Sequence, residues 1–246
     1  MEPQGNTAAQ PALKPEVISA YEYAWKKLWK PFWILLLIGI IYFAINFSTS
    51  IIPLIGFIAG FLVSGPLGYG MSFAYLKAAR GEKVEVEHIF SAFKNYGHSV
   101  LANFLTTIIM MVPAGVIVFF AWLMEDSGDD IVIPFFIVAL LAMVVIIIII
   151  TCKLAFIPYL VTDRKMKAVE AIKTSWNMTN GYFWQVFLIG LLSIPIVIAG
   201  LVCLVVGVII SFMWISMAIA SLYHAVDISR AAPTQRLPEN TAPPVT

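Results

Sequence analysis

Residues 132–160 read VIPFFIVALLAMVVIIIIITCKLAFIPYL, a run with a single charged side chain, Lys153. A bilayer core roughly 30 Å thick is crossed by about 20 apolar residues in helical form, and lipid supplies no water to an unpaired backbone amide. Such a run folds as a helix within a membrane. Similar runs fill most of the chain, which is 61% hydrophobic and only 12% charged, against roughly 25% charged in soluble domains. Cutting them by length predicts six spans, at about 32–49, 52–77, 100–124, 132–160, 182–199 and 203–223. The expected fold is an all-α, polytopic membrane bundle over 16–226, with no room for a soluble catalytic domain. Residues 1–15 and the proline-rich 227–246 are polar and aperiodic, and are expected to be disordered tails. The apolar core begins near residue 32, after a charged lead and with no small-residue cleavage site behind it. The first span is therefore expected to remain as an uncleaved anchor.

Three short stretches carry charge on one side and apolar groups on the other. At 16–30, Val17, Tyr21, Trp25, Leu28 and Trp29 form a stripe among Glu22, Lys26, Lys27 and Lys30, and Trp25, Trp29 and Trp33 recur at every fourth position. At 84–97, Val86, Ile89, Phe90, Phe93 and Tyr96 are spaced by threes and fours. At 165–179, Met166, Val169, Ile172 and Trp176 do the same. This spacing predicts amphipathic helices lying in a membrane surface with the apolar side down. The last two stretches also echo one another. Tyr75, Leu76 and Arg80 match Tyr159, Leu160 and Arg164 at an offset of 84, and Val86, Glu87 and Ile89 match Val169, Glu170 and Ile172 at 83. A slip of one residue over that length is what a diverged internal duplication leaves, with chance agreement as the alternative.

Charge placement sets the expected orientation. Lys14, Lys26, Lys27 and Lys30 lead the first span, Lys77, Arg80, Lys83 and Lys94 surround the first repeated stretch, and Arg164, Lys165, Lys167 and Lys173 surround the second. Arg230 and Arg236 lie in the tail, Lys153 lies inside span four, and the three alternate loops carry no basic residue, 125–130 being acidic. By the positive-inside rule both termini and all three amphipathic stretches are expected to be cytoplasmic, in a bacterial inner membrane.

No catalytic constellation is visible. No Asp or Glu falls in a span, His88, His98 and His224 are scattered without a metal-binding spacing, and no phosphate-binding glycine loop is present. Cys152 and Cys203 sit in apolar runs as small hydrophobes. Catalytic, cofactor and metal residues are therefore expected to be absent. Lys153 is open to two readings, a side chain reaching up to lipid phosphate or a buried substrate contact. In span two, Gly56 and Gly60 are spaced for close helix packing and Pro66 is expected to bend or break the helix; Pro113 and Pro195 sit at matching depths in spans three and five.

The entry AYEYAWKKLWKPFW, the SGPLGYG of span two with the YLKAARG that follows, IFSAFKNYG, and AIKTSWNMTNGYFWQVFLIGLL together resemble bacterial six-span families of unknown function. Those families are related to the membrane domain found beside some glycerophosphodiester phosphodiesterases. The resemblance covers nearly all of the apolar chain and implies the six-span fold. The phosphodiesterase catalytic domain has no counterpart here, so its activity is not implied, and the proline expected in that group near the end of span six is missing.

The expected function is that of a non-enzymatic membrane module. Its basic residues Lys83, Lys94, Lys153, Arg164, Lys165, Lys167 and Lys173 engage anionic lipid or a partner protein, with no role for nucleic acid. The alternative is a small-solute permease or flippase with its site near Lys153 and the bent second span. The topology is tested by single-cysteine labelling: a cysteine at Ser127 should react from outside and one at Thr174 from the cytoplasm, and the reverse would overturn the orientation.

Overall fold

The computed structural model describes residues 14–50, 53–125, 132–202 and 204–231, with side chains described except at 49–61, 120–121, 123–125, 132–133, 135–136, 204–206 and 231. Every regular element among them is helical: α1 (Val17–Leu28), α2 (Phe32–Ser50), α3 (Pro53–Arg80), a 3₁₀ rod (Val86–Asn95), α4 (Tyr96–Glu125), α5 (Val132–Leu154), α6 (Ile157–Thr162), α7 (Ala168–Asn180), α8 (Phe183–Val202) and α9 (Leu204–Ala231). Among the described residues four stretches are long and apolar enough to cross a membrane, Val86–Phe119, Ile137–Thr162, Phe183–Val202 and Gly207–Arg230; α1 and α2, bent by 96° at their junction, make a fifth candidate. That is four or five candidate spans against the six expected. The first thirteen residues, most of the acidic loop, Cys203 and the tail beyond 231 lie outside the described residues, as do the surroundings of Gly56 and Gly60.

The core lies toward one end of the bundle. There α3 contributes Leu67, Tyr75 and Leu76, α9 contributes Met217, Tyr223 and Val226, and α1 contributes Ala20, Ala24 and Leu28, all buried. Half of the membrane-length window of α9 is buried, against 17% or less for the other three, which makes α9 the central member. The exposed flanks are lined with Val, Ile, Leu and Phe, such as Phe119, Leu141 and Val145. In lipid, large apolar side chains gain nothing by turning inward, so packing favours small residues at contacts.

The first repeated stretch departs from the expected α-helix. It is a 3₁₀ rod that passes without a turn into α4 at Tyr96. In a 3₁₀ helix residues three apart eclipse, which gives the rod three sides. Ile89 and Ala92 are buried on the first; Phe90, Phe93 and Tyr96 pack ring against ring along the second, at 6.0 and 5.6 Å; His88, Ser91 and Lys94 follow on the third. The apolar residues that the sequence places on one stripe are thus split between two sides. The rod seats directly on α3: a Cβ on Gly70 would lie 1.8 Å from the Ile89 carbonyl oxygen. Pro66 does not end α3. It cannot donate to the carbonyl four residues back, that of Leu62, and the Tyr96 hydroxyl donates there instead, at 3.4 Å. Pro113 and Pro195 are likewise carried inside continuous helices.

The second stretch is a true α-helix, α7, and of the expected stripe Met166 and Ile172 are partly buried against the core. Ala168, Ala171, Ser175, Met178 and Thr179 face the protein, whereas Val169 is 52% and Trp176 43% exposed. Span four reaches Thr162 but is not one continuous helix: α5 stops at Leu154 and α6 resumes at Ile157, where Pro158, in the first turn of α6, cannot donate to the carbonyl of Leu154. Ser175 of α7 bridges the gap, donating to the Lys153 carbonyl at 2.7 Å and accepting the Phe156 N–H at 3.3 Å. The tryptophan ladder is also interrupted. Trp25 and Trp29 meet edge to face at 5.2 Å, but the bend before α2 leaves Trp33 against Phe32. At the other end, α9 continues to Ala231, so Asp227 and Arg230 are helical rather than part of a tail.

Replacing Gly70 by alanine should push the rod off α3 at about 1–3 kcal/mol, the usual range for overpacking. Gly190→Ala, where nothing lies within 4 Å, should cost little. Thermal unfolding of the two purified variants in neutral detergent checks this, and equal midpoints would refute the seating.

Candidate functional site

Two clusters of charge occupy the end of the bundle where the core lies. In the first, Arg80, the last residue of α3, donates both terminal nitrogens to Asp163, at 2.6 and 2.7 Å, and lies 3.9 Å from Asp227 of α9. Arg164 pairs with the other oxygen of Asp227. A bidentate guanidinium–carboxylate contact is short, planar and directional. On the same helix α9 Tyr223 stacks on Tyr159 at 4.9 Å, and the buried hydroxyls of Tyr75 and Tyr223 have no partner among the described residues. Arg230 reaches across to the carbonyls of Asn177 and Met178, at 2.7 and 3.1 Å, placing a cation at the C-terminal end of α7.

The second cluster is a cleft of about 580 Å³ between α3, the 3₁₀ rod and the end of α6. Phe73 and Lys77 come from α3, Glu87, His88, Phe90, Ser91, Lys94 and Asn95 from the rod, and Val161, Thr162 and Lys165 from α6 and the loop behind it. Lys77 is paired with Glu82 at 3.0 Å and packs over the Phe73 ring. Lys94 and Lys165 have no ion pair among the described residues. Lys165 is also the one non-glycine described residue with positive φ, at 51°. That conformation costs a side-chain-bearing residue roughly 1–2 kcal/mol and persists only where the surroundings impose it. His88 accepts the Glu85 N–H on Nδ1 at 2.8 Å, so a neutral ring carries its proton on Nε2. The Ser91 hydroxyl and the Asn95 amide nitrogen are shielded from solvent and have no partner among the described residues.

The remaining basic residues singled out by the sequence are spread over the surface. Lys83 pairs with Glu85 at 2.9 Å, and this contact holds the Glu85 carboxyl below, and the Lys83 ammonium above, their ordinary values. Lys167 precedes α7 and Lys173 is exposed along it. Lys153 lies between elements, bonded to Asn180 and over the rings of Trp176 and Phe183 at 5.4 and 5.8 Å; it is not among the residues lining the cleft. Of the expected contacts, then, the structure brings only Lys94 and Lys165 together, and Arg164 is taken up in the ion-pair cluster. The sequence reading passed over Lys77, His88, Ser91 and Asn95 as site residues, although His88, Ser91 and Lys94 do show the period-three signal of one 3₁₀ side. Among the described residues no three His, Cys, Asp or Glu side chains are grouped to hold a metal ion.

Fold and site together define a multi-pass helical membrane protein with a basic cleft at one end. The chain belongs to an uncharacterised family, described as protein of unknown function (DUF975), whose model matches residues 20–231. That match carries no link to glycerophosphodiester phosphodiesterases. No curated protein and no solved structure matches the chain.

Asp163→Ala would leave Arg80 partly buried without its bidentate partner, and breaking a buried ion pair typically costs about 3 kcal/mol. The double variant Arg80→Met/Asp163→Leu should recover much of that loss. Unfolding midpoints in detergent decide between this and a cosmetic surface pair, for which Asp163→Ala would change little.

Proposed function

We propose that the protein is a non-enzymatic module of a bacterial inner membrane that engages anionic lipid at its cytoplasmic face. In this reading α2, α3, α4, α5 with α6, α8 and α9 make six crossings. Both termini, α1, the 3₁₀ rod and α7 then lie on the cytoplasmic side, where the basic residues are concentrated. The observation that carries the reading is the exposure left on α7 and the rod: Ile89, Ala92, Ala168, Ala171 and Met178 face the protein, while Phe90, Tyr96, Val169 and Trp176 are left 40% or more exposed. Exposed aromatic and branched groups beside Lys94, Lys165, Lys167 and Lys173 match the chemistry of a headgroup region, apolar beneath and anionic above. Basic side chains there contribute about 1 kcal/mol each toward an anionic leaflet.

The test uses the full-length protein reconstituted into vesicles, with tryptophan fluorescence quenched by brominated phosphatidylglycerol or brominated phosphatidylcholine. Quenching at low salt should favour the anionic lipid several-fold, and Lys165→Gln/Lys167→Gln/Lys173→Gln should remove most of that preference. Equal quenching by the two lipids would refute lipid engagement and leave the lysines a purely topological role.

A further inference from the structure

We propose that the cleft between α3, the 3₁₀ rod and the α6–α7 loop is a discrete site for one phosphate group, held between Lys94 and Lys165 and carried on a small organic headgroup. This deepens the proposed function and rests on it only for the orientation of the cleft toward headgroups. Four observations converge. The volume, about 580 Å³, falls within the range of roughly 300–1,000 Å³ usual for small-molecule sites. Its lining brings ammonium groups from both repeated stretches, and those of Lys94 and Lys165 have no ion pair among the described residues. The Ser91 hydroxyl and the Asn95 amide nitrogen are buried without partners among the described residues, whereas buried donors in folded proteins are almost always satisfied. His88, with Nδ1 accepting the Glu85 N–H, carries its ring proton on Nε2 when neutral and can donate from there.

The inventory is thus almost wholly donors and cations, which suits an acceptor-only, multiply charged oxyanion. A carboxylate would use two acceptor oxygens, whereas a phosphate monoester offers three to the groups that converge here. Glu87 is the one carboxylate in the lining, and its charge offsets part of the attraction that Lys94 and Lys165 exert on an anion. Phe73 and Phe90 give the cleft an apolar side, suited to the glycerol and first acyl carbons of a phospholipid or to the carbon frame of a soluble phosphate ester. The backbone of Lys165 is held in a left-handed conformation at φ 51°, the kind of outlier that collects at ligand sites.

Binding to the full-length protein in neutral detergent is measured calorimetrically with three probes: inorganic phosphate, glycerol phosphate and dihexanoyl phosphatidic acid. Saturable one-to-one binding is expected, weakened about tenfold or more in Lys94→Gln/Lys165→Gln, since hydrogen bonds to charged groups are each worth about that factor. Ser91→Ala, which changes no charge, should weaken it several-fold. The control Lys26→Gln/Lys30→Gln removes the same charge from two exposed positions, one in α1 and one just after it, and should change affinity less than twofold. Unfolding midpoints close to the parent's show that each variant is folded. Tighter binding of phosphatidic acid, with the advantage lost in Phe90→Ala, identifies a lipid headgroup as the source; equal affinity for glycerol phosphate identifies a soluble ester, and both support the site. No saturable binding by the parent, equal losses in the two double variants, or an unchanged Ser91→Ala would each overturn it. Equal losses would still leave the vesicle preference of the proposed function standing, so the two readings fail separately.

Discussion

The arrangement of the basic end depends on one close approach, that of the Ile89 carbonyl to the bare Cα of Gly70, where any side chain would collide. Because α3 offers no Cβ there, the 3₁₀ rod lies flush against it. From that seat the Tyr96 hydroxyl reaches the Leu62 carbonyl, the one that Pro66 leaves without its helical donor. Ser99 then bonds back to the carbonyls of Ala92 and Asn95, at 3.0 and 3.1 Å, satisfying groups exposed where 3₁₀ geometry gives way to α. The rod therefore runs straight into α4, and its polar side is held over Lys77. The cleft is the space left by this seating.

A second constraint ties the two halves of the chain together. Arg80 and Arg164, related by an offset of 84 in the sequence, both bind Asp227, and the similarly related Tyr159 packs on Tyr223, one turn before Asp227 on α9. Whatever the origin of the echo, its matched residues meet on the central helix. Charges of both signs, partly withdrawn from water, are tolerable only when they neutralise each other at close range. The cluster thereby fixes the end of α3, the α6–α7 loop and the end of α9 as one unit, and Lys165 follows Arg164 directly in that loop. The position of one wall of the cleft thus follows from the ion pairs beside it.

Much of the architecture was legible before any coordinates. Apolar runs set the helices, since length in lipid translates directly into residues, and the observed starts of α2, α5 and α8 lie within a residue of expectation. The departures have local causes. Pro158 divides the fourth span into α5 and α6, α9 outlasts its apolar run because Asp227 and Arg230 find partners, and the tryptophan series breaks where α1 and α2 turn by 96°. Spacing at threes and fours cannot distinguish a 3₁₀ rod from an α-helix over ten residues, nor which of the small side chains between the stripe residues meet the protein: on α7 these are Ala168, Ala171 and Ser175, while Val169 and Trp176 stay exposed.

Composition and periodicity determined that the chain is a helical membrane protein with its basic residues gathered on particular segments, because hydrophobic length and charge position are properties of the chain taken one stretch at a time. Which cations stand free and which are spent was decided only by the tertiary structure. Arg164 is consumed by Asp227, while Lys94 and Lys165, 71 positions apart in sequence, border a common space with Ser91 and Asn95. Pairing and enclosure are relations between segments, and nothing in the local pattern of either segment encodes the distance to the other.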